Sequence, residues 1–123
     1  MTLGRLLADL MTEKPHQYPN ETVTKWVNEI EGMAAERVFN RTKGEEVEFE
    51  GYEYPKDYET ELLIPDRFGD VYVNYLASKV DYANREFGGY NNSTAMFNAA
   101  WDEFAASWRR THKPKPLAGM RNL

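Results

Sequence analysis

The chain has 123 residues, of which 41% are hydrophobic, 14% aromatic and 28% charged, enough for one buried core and too few for two. Mean hydropathy is −0.73, and no apolar run reaches the roughly 18 residues of a membrane span, which excludes a helical membrane protein. There is no cysteine, so disulfide scaffolds, thiolate metal sites and cysteine nucleophiles are excluded together.

The net charge of −5 is unevenly spread. Between Gly44 and Glu61 eight acids face Lys56 alone, a local net of −7, whereas Ser107 to Leu123 carries five bases and no acid. An acidic chain argues against a module whose main work is coating nucleic acid. The stretch Met1 to Pro19 lacks the apolar block and small-residue cleavage site of a signal peptide, so none is expected.

Leu3, Leu7 and Leu10, with Leu6 and Met11 beside them, step by four and three and predict a short helix ending before Pro15. Asn20, after Pro19, is placed to cap the next one. Val23, Val27, Ile30, Ala34 and Val38 then form one apolar stripe, widened by Trp26 and Met33, with Lys25, Asn28, Glu29 and Glu36 opposite. That pattern is a surface helix with one buried face, running to about Phe39. From Arg41 to Pro65 the helical period disappears. Val47 and Phe49 alternate with glutamates, Gly51 breaks the phase, and Tyr52 and Tyr54 resume it, predicting a short extended segment or an irregular hairpin. Leu62, Leu63 and Ile64 follow as an apolar plug.

A third helix is predicted from about Asp70 to Phe87 on the stripe Val73, Leu76, Val80, Ala83 and Phe87, ending at Gly88-Gly89. Asn91 to Thr94 supply candidate caps for a fourth helix, whose stripe is Phe97, Trp101, Phe104 and Trp108. It should fray near Thr111, because Pro114 and Pro116 prevent its continuation. The expected fold is therefore all-α. A small four-helix domain spans residues 1–111, with a long acidic, partly extended loop between helices two and three. A basic, proline-containing, extended C-terminal tail follows at 112–123.

Chemistry-bearing patterns are sparse. His16 and His112 lie in proline-flanked segments near opposite ends, with no shared acid. The sequence holds no glycine-rich phosphate loop, no dinucleotide fingerprint and no His-Glu-x-x-His pair. The acidic loop lacks the ligand alternation of a calcium-binding loop and reads as a solvated segment. Neither catalytic residues nor a metal or cofactor site is expected, and the chain is not expected to be an enzyme. The four Asn-x-Ser/Thr matches, at Asn20, Asn40, Asn91 and Asn92, are taken as chance, Asn20 and the Asn91–Asn92 pair serving as caps or turn residues.

Two features remain open between a structural role and a binding one. Tyr72, Tyr75 and Tyr82 flank the core stripe of the third helix, either half-buried by the second helix or forming a protein contact. The tail is either a solvated end or a docking segment, with Lys113, Lys115 and Arg121 as charges and Leu117 and Met120 as apolar anchors. As a docking segment it is expected to be mobile until it meets an acidic partner.

The runs Leu62-Leu63-Ile64-Pro65, Val71-Tyr72-Val73-Asn74-Tyr75-Leu76, Asp81-Tyr82-Ala83-Asn84-Arg85-Glu86 and Tyr90-Asn91-Asn92-Ser93-Thr94-Ala95-Met96-Phe97-Asn98 resemble the head–tail connector proteins of tailed phages and prophages, also called adaptor or head-completion proteins. The resemblance is strongest from Leu62 to Arg110, with a looser echo in Thr22 to Arg37. It rests on aromatics and caps rather than on a catalytic signature. It implies a helical virion protein at the neck, made in the host cytoplasm and assembled as a homo-oligomer, a dodecameric ring under the portal protein. Such a ring extends the DNA channel, lets DNA pass without sequence-specific binding, and presents a platform to the next neck or tail protein. Tyr72, Tyr75 and Tyr82 would then serve subunit contacts, and Lys113, Lys115, Leu117, Met120 and Arg121 portal docking. The alternative is a small helical protein-binding or regulatory protein without enzymatic activity.

Overall fold

Thr2 starts the first helix: its hydroxyl accepts the Arg5 N–H at 3.1 Å, satisfying one of the donors a helix N-terminus leaves free. In a computed structural model describing residues 1–116, α1 spans Leu3–Glu13, α2 Asn20–Arg37, α3 Asp70–Ala83 and α4 Phe87–Thr111. Short 3₁₀ turns lie at Phe39–Arg41 and Asp66–Phe68, and among the described residues there is no strand. The fold is the expected all-α domain.

The leucine stripe of α1 and the valine–isoleucine stripe of α2 meet as predicted, with Leu3, Leu6, Leu10, Val23, Val27 and Ile30 fully buried. Asn20, expected as a cap, is instead the first helical residue. Pro19 holds the cap position in an extended conformation, and Asn20 turns its carbonyl to the Thr24 hydroxyl at 2.7 Å.

Of the two forms expected between α2 and α3, an extended segment or an irregular hairpin, the described residues form no hairpin. Side chains and the chain start replace a partner strand. Asn28 on α2 accepts the Tyr52 N–H at 2.8 Å and donates to the Tyr52 carbonyl at 3.0 Å, so its amide stands in for a neighbouring peptide group. Further on, the Gly4 N–H donates to Tyr58 at 2.8 Å, Leu3 to Thr60 at 3.0 Å, and Leu62 back to Met1 at 2.8 Å. The plug residues Leu62 and Ile64 are buried against the core.

α3 stops at Ala83, short of the predicted Gly88-Gly89 terminus. The reason is Arg85, which takes the left-handed conformation at φ 58°. Its N–H bonds to Tyr82 at 3.0 Å and that of Glu86 to Asp81 at 2.9 Å, the paired bonds of a Schellman C-terminus with arginine in the usual glycine position. α4 then begins at Phe87, so Gly88, Gly89 and the predicted caps Asn91 to Thr94 all lie inside it. Of these, Gly89 and Ser93 serve the α3–α4 contact. Asp81, fully buried on α3, accepts the Ser93 hydroxyl at 2.6 Å and pairs with the Lys14 ammonium. Gly89 makes room for that carboxylate, since a Cβ there would stand 3.2 Å from its carbon.

Phe104 is fully buried and Trp108 nearly so, whereas Trp101 is half-buried and lies against the core rather than in it. Beyond α4 the tail does not leave the domain at once. Lys43 donates its N–H to the Lys113 carbonyl at 3.0 Å, and Lys115 to the Arg41 carbonyl at 2.8 Å. Residues 113 and 115 are thus hydrogen-bonded to the turn after α2, where the sequence predicts a segment that is mobile until it meets a partner.

Candidate functional site

Glu31 is the polar centre of the core. It sits on the apolar face of α2, four residues after Val27 and three before Ala34, and is fully buried. The Tyr52 hydroxyl donates to its Oε2 at 2.6 Å and the Leu63 N–H to the same oxygen at 2.9 Å. The Tyr72 hydroxyl donates to Oε1 and accepts the Ile64 N–H at 2.8 Å. Burial holds the Glu31 carboxyl above the usual carboxylate range, while the three donors act in the opposite sense. Burial also pushes the Tyr72 and Tyr52 hydroxyls well above 10, reinforced by the Glu31 carboxylate. The network fastens the acidic segment, the plug and α3 onto α2. Neither of the two clefts described below is lined by Glu31, Tyr52 or Tyr72, and the geometry of the network is that of a fastener.

This arrangement separates the three flanking tyrosines. Tyr72 is fully buried, so it has no surface to offer a neighbour and the expected contact role is withdrawn. Tyr75 is half-buried, its ring 5.3 Å from Phe97 and its hydroxyl donating to Glu29 at 2.6 Å. Tyr82 alone is open, at 59% exposure, and it is not isolated. Phe87 is 58% and Met96 52% exposed, and the Tyr82 ring lies 5.3 Å from Tyr90 and 6.4 Å from Phe87. Tyr82, Phe87 and the half-buried Tyr90 form an aromatic patch at the α3–α4 turn, beside a cleft of about 290 Å³ lined by Tyr75, Tyr90, Thr94 and Phe97.

The opposite end of α4 carries a different surface. A cleft of about 700 Å³ opens between the turn after α2 and the last turns of α4, lined by Arg37, Arg41, Arg109 and Lys115 over Val38, Ala105, Trp108 and Pro114. Trp108 is fixed on three sides. Its Nε1 donates to the Thr42 hydroxyl at 2.9 Å, its ring meets the edge of Phe39 at 4.9 Å, and His112 stacks flat on it at 3.6 Å. Arg37 and Arg109 occupy the last turns of α2 and α4, where the free carbonyls favour positive charge. Lys115 clasps Glu46 at 3.1 Å, and Glu46 is held below the usual carboxylate range by a hydrogen bond from its own backbone and by that lysine.

Of the residues expected to dock a portal protein, Lys115 lines this cleft and Lys113 is pinned beside it, while Leu117, Met120 and Arg121 lie outside the described residues. His16 stacks near Tyr18 and His112 on Trp108, so the structure does not join the histidines in one site. Among the described residues, no group of three or more His, Asp or Glu side chains is arranged to hold a metal ion. Sequence reasoning passed over Glu31, although a carboxylate inside an apolar stripe was its signal. It also passed over the cleft, whose bases come from three separated segments. No protein-family model, curated protein or solved structure matches the chain.

Proposed function

We propose that this chain is a non-catalytic structural subunit that assembles into a ring at the portal vertex of a tailed phage, connecting head to tail around the DNA channel. The observation that carries the reading is the aromatic patch in which Tyr82 and Phe87 stand open beside the half-buried Tyr90. Large rings left exposed and in mutual contact, beyond what the core uses, are typical of surfaces that another protein covers. The resemblance of segments 62–110 to connector proteins supplies the kind of assembly.

The test is native mass measurement of the chain alone and with a portal protein, for the wild type and for Tyr82→Ser combined with Phe87→Ser. A multi-copy complex on the portal is expected, lost in the variant while its melting temperature stays unchanged. A wild-type chain that remains single in the presence of portal overturns the reading and leaves the small protein-binding alternative in its place.

A further inference from the structure

We propose that the basic cleft at the C-terminal end of α4 is a docking site for the acidic segment, residues 45–61, of a second copy of this chain. The inference rests on the ring reading above and names the surfaces through which neighbouring subunits would meet.

The two surfaces complement each other in charge and in form. Arg37, Arg41 and Arg109 are exposed and, among the described residues, have no ion pair. In the acidic segment Glu48, Glu50, Glu53 and Glu59 are likewise exposed and, among the described residues, without an ion pair. Each surface on its own carries self-repulsion that the other would relieve. The cleft floor is apolar, with Val38 and Trp108 beneath the arginine rim, the arrangement of an interface with a dry centre and a polar edge. Glu48 and Glu50 stand exposed on either side of Phe49, whose half-buried ring packs on Tyr52 at 5.0 Å and so fixes where the two carboxylates are displayed. The pair between Lys115 and Glu46 shows, within one chain, how the start of the segment meets the cleft.

One chain cannot satisfy itself with the rest of the segment. Past Val47 the segment runs away along α2, held at Tyr52 by Asn28, and reaches the start of α1 at Tyr58. The carboxylates beyond Glu46 are therefore displayed on a surface distinct from the cleft. A contact between two different surfaces of identical chains is head-to-tail, and it closes into a ring when the rotation allows. Fixed arginine forks at the rim favour bidentate carboxylate pairs and set the register of the contact.

The experiment is sedimentation velocity on the full chain over a range of concentration and salt, with two charge-reversed variants whose helical content and melting are checked first. One variant carries Arg41→Glu and Arg109→Glu; the other carries Glu48→Lys, Glu50→Lys and Glu53→Lys. Wild type should self-associate at low salt and dissociate at high salt, and each variant alone should associate about tenfold more weakly or worse. An equimolar mixture should recover association, because each variant then offers what the other lacks. Wild-type-like association of either variant, or a mixture that stays apart, overturns the proposal, as does a wild type that is single at every concentration. Binding of a short DNA duplex that is lost in the arginine variant, with no self-association, assigns the cleft to phosphates and also overturns it. Association that stops at two copies keeps the contact and removes the ring, so the two readings fail separately.

Discussion

A carboxyl group sealed in an apolar core is retained only when its hydrogen-bonding partners are present, and Glu31 has three. Its raised pKa makes stability depend on pH with a definite sign. The folded chain binds the Glu31 proton more readily than the unfolded chain, whose group titrates near 4.5. The resulting stabilisation is fully present below that value and is lost as pH rises through the raised folded value. Glu31→Gln keeps the shape and removes the titration. The melting temperature of wild type relative to Glu31→Gln should therefore fall as pH rises from 4.5. A difference that does not change with pH would show that the carboxyl titrates alike in both states.

At the scale of the elements, the two adjacent glycines in the first turn of α4 differ in what surrounds them. A Cβ on Gly88 would meet nothing within 4 Å, whereas one on Gly89 would press on the buried Asp81 carboxylate. Gly88→Ala should stabilise by up to about 1 kcal/mol through helix propensity and a less flexible unfolded chain. Gly89→Ala should destabilise by about 1–3 kcal/mol, because Asp81 is tethered by Ser93 and Lys14 and has no room to yield. Denaturant melts of the two variants check both signs. The glycine pair was visible in the sequence and its role was not. Glycine reads as a helix terminus, but the terminus is made by Arg85, and of the pair only Gly89 serves a close approach, one turn later. The stripes of α1 and α2 were legible because each residue contacts its own helical neighbours at fixed period. The Glu31 network, the pinned tail and the basic cleft were not, since each joins segments far apart in sequence. Trp101 shows the limit of periodicity itself: it keeps the phase of Phe104 and Trp108 and still lies at the rim of the core.

At the scale of the whole molecule, α4 sets the distance between the two candidate contact surfaces. Tyr90 at one end and Trp108 at the other are separated by roughly 27 Å of continuous helix, at about 1.5 Å per residue. A rigid helix holds the two surfaces in one relative orientation, so an assembly using both would have its curvature fixed by the subunit. The uneven charge belongs to the same scale. Under the proposed contact, the acidic segment of one chain and the basic end of another would steer identical chains toward each other at low ionic strength.

The segment after α2 is anchored at both of its ends, by Lys113 and Lys115 at residues 41–43 and by the chain start at residues 58–62. Between those anchors the segment is also held by the side-chain bonds of Asn28 and Glu31 and, across residue 56, by the turn bonds of Asp57 to Glu53 and Tyr58 to Pro55. A protease cut at Lys56, an exposed residue in this stretch, should therefore give a nicked protein that elutes as one particle and melts cooperatively, separating into two peptides only in denaturant. Two genes, one ending at Lys56 and one starting at Asp57, should likewise yield the domain when expressed together. Recovery of either piece alone as a folded species would show that the anchors bind less tightly than their geometry implies.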